Sequence, residues 1–159
     1  MPKKIIFGLR IAVIATIAVI FLFSLQNGEE SSEQSNWVAE QMQAAIDFIE
    51  DTSGIEVNIR KVGHFSEFAL LGLEVLLLYI FSGKYGISEL FNVFAVGLTT
   101  AVTDESIQLF IPERSGQIKD VQIDICGFVF GALLAAGMYY LIVFIKKRNL
   151  NKRGNQNGK

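Results

Sequence analysis

Residues 121–145 read VQIDICGFVFGALLAAGMYYLIVFI, and after Asp124 no charge interrupts them before Lys146. A helix needs about 20 mainly apolar residues to cross the hydrocarbon core of a bilayer. This stretch supplies them. A surface helix of a water-soluble domain keeps one polar face, and Tyr139–Ile145 has none. Three more runs lie upstream, at Ile5–Leu25, Val62–Phe81 and Leu90–Ile111. The chain has 159 residues, 51% of them hydrophobic, and these four runs hold most of the apolar ones. The expected fold is therefore an all-α membrane protein, a four-helix transmembrane bundle.

The first run resembles a secretory signal at its start, where Lys3, Lys4 and Arg10 precede Ile11–Phe23. Ser24-Leu25-Gln26-Asn27 is not a small-residue cleavage site, so an uncleaved first helix is expected. Orientation follows from the bias of Lys and Arg towards cytoplasmic loops. An inside N-terminus puts Lys3, Lys4, Arg10, Lys84, Lys146, Lys147, Arg148, Lys152, Arg153 and Lys159 in the cytoplasm, ten of the fourteen basic residues. Only Arg60, Lys61, Arg114 and Lys119 fall outside. The expectation is a multi-pass protein of the cell membrane with both termini cytoplasmic.

Four segments result. Residues 1–25 hold the cytoplasmic start and helix one, and 26–60 form an acidic extracytoplasmic segment. Residues 61–145 carry helices two to four, and 146–159 make a basic tail expected to be disordered. Within 26–60, Asn27–Ser35 reads as a mobile polar linker. Beyond it, Val38, Met42, Ala45, Ile46 and Ile49 fall on one helical stripe, with Trp37 at its start. An amphipathic extracytoplasmic helix between helices one and two is expected. Its other face is acidic, so it should be held by the bundle and not by anionic lipid. The net charge of −2 averages this region with the basic ends. The single cysteine, Cys126, forms no internal disulfide and reads as a plain buried thiol.

Ionisable groups at membrane depth are costly and often functional. Here they cluster at one face. Helix two enters with Lys61, His64 and Glu67, helix three leaves with Asp104, Glu105 and Gln108, and the next loop adds Arg114 and Lys119. Helix four begins with Asp120 and Asp124. Steps of three and four residues keep neighbours on one helix surface. The Asp120–Asp124 stripe continues through Gly127, Gly131 and Ala135, small residues that let backbones approach. That stripe should face the bundle centre. In the plainer reading Asp120 is a helix cap, Lys61 snorkels to the interface and Glu113 is solvated. Glu74 lies deeper and reads as structural, paired with Arg10 or protonated.

The motifs Lys61-x-x-His64-x-x-Glu67-Phe68, Asp104-Glu105-x-x-Gln108-x-Phe110-x-Pro112-x-Arg114 and Asp120-x-x-x-Asp124-x-x-Gly127 resemble the VanZ-like family. The resemblance spans about Arg60–Ile145. Glu113 stands where members of that family often have glycine. The resemblance implies a bacterial envelope protein, in a family named for a member linked to teicoplanin resistance.

Two functions fit these residues. In one, an outer polar pocket binds a cell-wall precursor, a glycan or a glycopeptide, with Lys61, Gln108, Arg114 and Asp120 as ligand contacts, and contributes to glycopeptide resistance. In the other, a membrane-embedded hydrolase or transferase acts on a lipid-linked phosphate or sugar, with His64, Glu67, Asp104, Glu105 and Asp124 as catalytic candidates. His64, Glu67, Asp104 and Asp124 are the candidate metal ligands, so a divalent cation is the cofactor left open. A transporter fits less well, because the inner half lacks a comparable relay. The sequence has no nucleotide-binding loop and nothing that points to nucleic acid. The bilayer is the one partner it implies directly. It leaves open the oligomeric state and whether any reaction is catalysed.

Overall fold

The computed structural model describes residues 3–84 and 86–156, with side chains described as far as Asn149. Lys159, one of the expected cytoplasmic charges, lies outside the described residues, as do Met1, Pro2 and Tyr85. Among the described residues the regular structure is entirely helical: α1 (Lys3–Ser24), α2 (Gly28–Ser53), α3 (Ile59–Phe81), α4 (Ile87–Gln108) and α5 (Ile118–Gln156). Three helices are long and apolar enough to cross a membrane: α1, α3 and the Ile118–Asn149 part of α5. α4 is not among them, where four apolar spans were expected. Glu89, Asn92, Asp104, Glu105 and Gln108 dilute it.

The expected mobile linker at Asn27–Ser35 is instead the first part of α2. Asn27 caps this helix: its side chain accepts from the Glu30 backbone N–H, and the Glu30 side chain accepts from the Asn27 backbone N–H. This capping box satisfies two backbone donors, and Glu29 and Glu30 suit the positive end of the helix dipole. Gly54 ends α2 with φ 69°, a left-handed conformation that costs glycine little. The basic tail is also more ordered than expected, since α5 continues to Gln156.

The bundle is organised around α3 and α5, its most extensive helix pair. A Cβ on Gly127 would meet the Phe65 backbone, and one on Gly131 would meet the Ala69 backbone. One on Gly72 would meet the backbone of Phe128. The step from Phe65–Gly127 to Ala69–Gly131 advances by four residues in the same direction along both helices, so α3 and α5 run parallel. Asp124, Gly127, Gly131 and Ala135 are all buried, which makes the small-residue stripe the packed one. The Phe128 ring lies over Gly97 of α4. It joins Ile20, Phe68, Leu71, Val75, Val93 and Ala101 in the buried core.

α1 packs on α3 and α4. Ser24 at its end reaches Asp104, and Thr16, two turns earlier, donates to Glu74 Oε2 at 2.8 Å. Glu74 thus finds its partner in Thr16 and not in Arg10. Phe7, Ile14 and Leu22 of α1, Leu90 and Phe91 of α4, and Leu133 and Tyr140 of α5 are exposed. Such a continuous apolar exterior is foreign to a protein in water and natural in lipid. Cys126 belongs to this exterior, exposed and not buried as expected.

Candidate functional site

The site lies where the C-terminal ends of α1 and α4 meet the N-terminal ends of α3 and α5. Asp104 is 1% exposed, Glu105 5% and Asp124 0%, so three carboxylates are withdrawn from water in one place. Ser24 donates to Asp104 Oδ1. Gln108 Nε2 donates to Asp104 Oδ2 at 2.9 Å and to Glu105 Oε1 at 3.1 Å. These are one-turn contacts within α4, as their spacing predicts. The backbone N–H of Gln117, just before α5, donates to Glu105 Oε2 at 2.7 Å.

His64 completes the group from α3. Its Nδ1 lies 3.1 Å from Asp124 Oδ1 and 3.8 Å from Asp104 Oδ2. Asp124 Oδ2 and Gln108 Oε1 are buried and have no hydrogen-bond partner among the described residues. Among the described residues no Lys or Arg makes an ion pair with these carboxylates; the pairs they form are with His64. His64, Asp104, Glu105 and Asp124 each present a donor atom, and these atoms lie within 4.8 Å of one another. That separation suits ligands arranged around one cation.

Arg114 closes the site from the loop between α4 and α5. Its Nη1 donates at 2.9 Å to the Phe23 carbonyl at the end of α1, which also accepts from the Gln26 backbone N–H at 3.2 Å. A longer contact of 3.4 Å reaches the Gln26 carbonyl. Burial and the neighbouring Arg60 lower the pKa of Arg114, whereas Asp104, Glu105 and Asp120 raise it. A guanidinium stays cationic throughout the physiological range. Next to it, Glu113 has φ 61°, the left-handed region in which glycine is favoured. The position where this sequence departs from the VanZ-like pattern is therefore one where a side chain carries a backbone cost. The Gly28 backbone N–H donates to Pro112 O at 3.3 Å, which ties the loop to the start of α2.

A cavity of about 380 Å³ opens beside this group. Ile20 and Phe23 of α1, Val38 and Met42 of α2, and Ile59 and Val62 of α3 form its apolar wall. Arg60, His64, Glu67, Asp104 and Arg114 supply charge or hydrogen bonds. α2 roofs it with Ser31, Gln34 and Ser35 as well. Of the apolar stripe expected on α2, Ile46 is buried, while Met42 and Ile49 remain largely exposed. Trp37 is exposed too.

The sequence-derived candidates divide clearly. His64, Asp104, Glu105, Gln108 and Asp124 converge. Glu67 lines the cavity but is outside the four-residue donor group, in which Glu105 stands instead. Arg114 faces the cavity. Lys61 and Lys119 are exposed and do not line it. Asp120 is half-buried at the start of α5, without a side-chain hydrogen bond or ion pair among the described residues. Ser24 and Arg60 were missed. Ser24 looked like the end of an apolar run, and only its contact with Asp104 gives it a role. Arg60 had a readable signal, as the single base at the end of a segment with eight acids.

A family model described as VanZ/LLP1 matches residues 9–145. The chain belongs to the VanZ/LLP1 family. The match takes in α1 and α2 as well as the motifs of α3 to α5, so the acidic segment lies within the family region. Neither the curated proteins nor the solved structures hold a match to this VanZ/LLP1 chain.

Proposed function

We propose that this VanZ/LLP1 protein is a cell-envelope protein whose extracytoplasmic cavity binds an amphiphile with an anionic head: a lipid-linked cell-wall precursor, a glycan carrier or a glycopeptide. The cavity itself carries this reading. Apolar side chains from three helices face Arg60 and Arg114 across about 380 Å³, within the usual range of small-molecule sites. An acyl or prenyl chain suits the wall, and a phosphate or carboxylate suits the guanidinium groups. By binding such a molecule the protein would contribute to teicoplanin-type resistance.

The reading includes a topology. α1, α3, α4 and α5 cross the cell membrane, both termini are cytoplasmic, and α2 is an amphipathic helix over the outer end. The parallel course of α3 and α5 supports α4 as the fourth crossing. Two parallel spans joined by short loops need a return segment of membrane length. α4 has 22 residues, and at 1.5 Å per residue that makes it about 33 Å long. The basic residues at both ends of the chain support the orientation. In a Cys126→Ser background, Glu40→Cys should react with an impermeant maleimide on intact cells. Lys84→Cys should react only after permeabilisation. The reverse pattern would overturn the topology.

Binding is tested with purified protein in detergent. A prenyl phosphate should bind saturably, and Arg60→Ala should weaken it by about tenfold or more, the worth of a charge-assisted hydrogen bond. Unsaturable binding, or binding unchanged in Arg60→Ala, would count against the cavity. Teicoplanin is titrated in parallel to separate antibiotic from precursor.

One observation favours a second reading, a hydrolase or transferase. His64 is held by buried Asp124 while it faces the cavity beside Glu67. That places a candidate general base, oriented by a carboxylate, next to the bound head group. Release of inorganic phosphate from a prenyl pyrophosphate by the wild type, and not by His64→Asn, would support it. No release by either protein would leave the binding role.

A further inference from the structure

We infer that His64, Asp104, Glu105 and Asp124 form a binding site for one divalent transition-metal cation at the base of the cavity. The proposal concerns the ion alone and does not depend on what fills the cavity. Four donor atoms from three helices lie within 4.8 Å of one another. Ligands around a cation at about 2.0–2.2 Å sit about 3.4 Å apart in a tetrahedron and at most roughly 4.4 Å apart across an octahedron, so the side chains would draw in by about an ångström on binding.

Proximity of acids alone would say little. The independent observation is Asp124. It is 0% exposed, its Oδ1 faces His64, and its Oδ2 has no partner among the described residues. A buried carboxylate oxygen without a donor is costly in any protein interior. The neighbouring carboxylates cannot supply that donor while ionised, and no Lys or Arg among the described residues makes an ion pair here. A cation between these groups would satisfy the free oxygen and offset the accumulated negative charge.

The surroundings have the organisation of a metal site. Such ligands are normally oriented by further hydrogen bonds. Ser24 and Gln108 hold Asp104, and Gln108 and the Gln117 backbone hold Glu105. One imidazole with three carboxylates favours manganese or zinc over calcium and magnesium, which take oxygen donors. His64 and Asp104 also line the cavity, which gives the ion a route in.

The test uses the metal alone. The full chain in detergent is stripped with chelator and titrated calorimetrically with Zn²⁺ and Mn²⁺. One ion per chain is expected. Asp124→Asn and His64→Ala should each weaken affinity about 100-fold or more, with elution and helical circular dichroism unchanged. Glu89→Gln, at the far end of α4, should bind as the wild type does. Should the site variants fail to fold, X-ray absorption on the zinc-loaded wild type decides instead. An oxygen shell with one imidazole supports the proposal. Absence of binding, wild-type affinity in both site variants, equal loss in Glu89→Gln, or a shell with sulfur or no imidazole would each overturn it. Failure of prenyl phosphate binding would leave this result untouched.

Discussion

Gly131→Leu is expected to abolish recovery of folded, monodisperse protein from membranes. A Cβ at Gly131 already meets the Ala69 backbone carbonyl, and backbone cannot turn aside as a side chain can. The substitution must push α5 away from α3 along the most extensive contact of the bundle. Overpacking a well-packed core typically costs 1–3 kcal/mol, and occasionally more. With backbone as the obstacle, about 3 kcal/mol or more is expected here. Between membrane helices close packing has no hydrophobic effect to fall back on, so lost van der Waals contact is not replaced. Gly137→Leu is the internal control, because a Cβ there meets nothing within 4 Å. Thermal unfolding in detergent and the yield of the monodisperse species read both variants. A wild-type midpoint for Gly131→Leu, or an equal loss in Gly137→Leu, would contradict the assigned packing.

Arg114→Ala is expected to have the second largest effect, on stability and on anion binding together. The guanidinium is half-buried and donates to the Phe23 carbonyl at the end of α1. Its removal takes from that carbonyl its charged donor, leaving only the Gln26 backbone N–H, and withdraws a positive charge from the field of Asp104 and Glu105. Loss of a hydrogen bond from a charged group costs about 1.5–3 kcal/mol. The same change should lower prenyl phosphate affinity by about 100-fold, because the ligand loses one of the two guanidinium groups facing the cavity. Arg114→Lys separates the effects. It restores a cation but not the planar fork, so stability should recover more than affinity. If Arg114→Ala melted like the wild type, the loop would not be clamped through this residue. If affinity were unchanged in both variants, Arg114 would not contact the anion.

Much of the site was legible in the sequence because the membrane removes ambiguity. In water, Asp104, Glu105 and Asp124 would have passed for surface residues. At the ends of apolar runs the cost of burial marks them. The spacing that put Asp124 on one stripe with Gly127, Gly131 and Ala135 gave its direction, and that stripe is the buried one. α2 was only half legible. Its apolar stripe predicted a helix, but the linker reading of Asn27–Ser35 overlooked Asn27-x-x-Glu30, a local capping signal that starts the helix at Gly28, ten residues before Val38. Periodicity alone misplaced that boundary.

The opening stretch at residues 121–145 determined by itself that this chain builds membrane helices, since unbroken apolar length has few other outlets. Sequence also placed the ionisable residues at one end of the bundle, because the position of a residue along a helix is its depth. Only the tertiary structure decided which of them meet. It chose Glu105 and not Glu67 for the donor group, gave Glu74 to Thr16, brought in Ser24 and Arg60, and left Lys61 outside. The physical reason is rotational. Sequence gives each helix its length and face, while the close approach of α3 and α5 at Gly72, Gly127 and Gly131 sets how those faces turn towards one another.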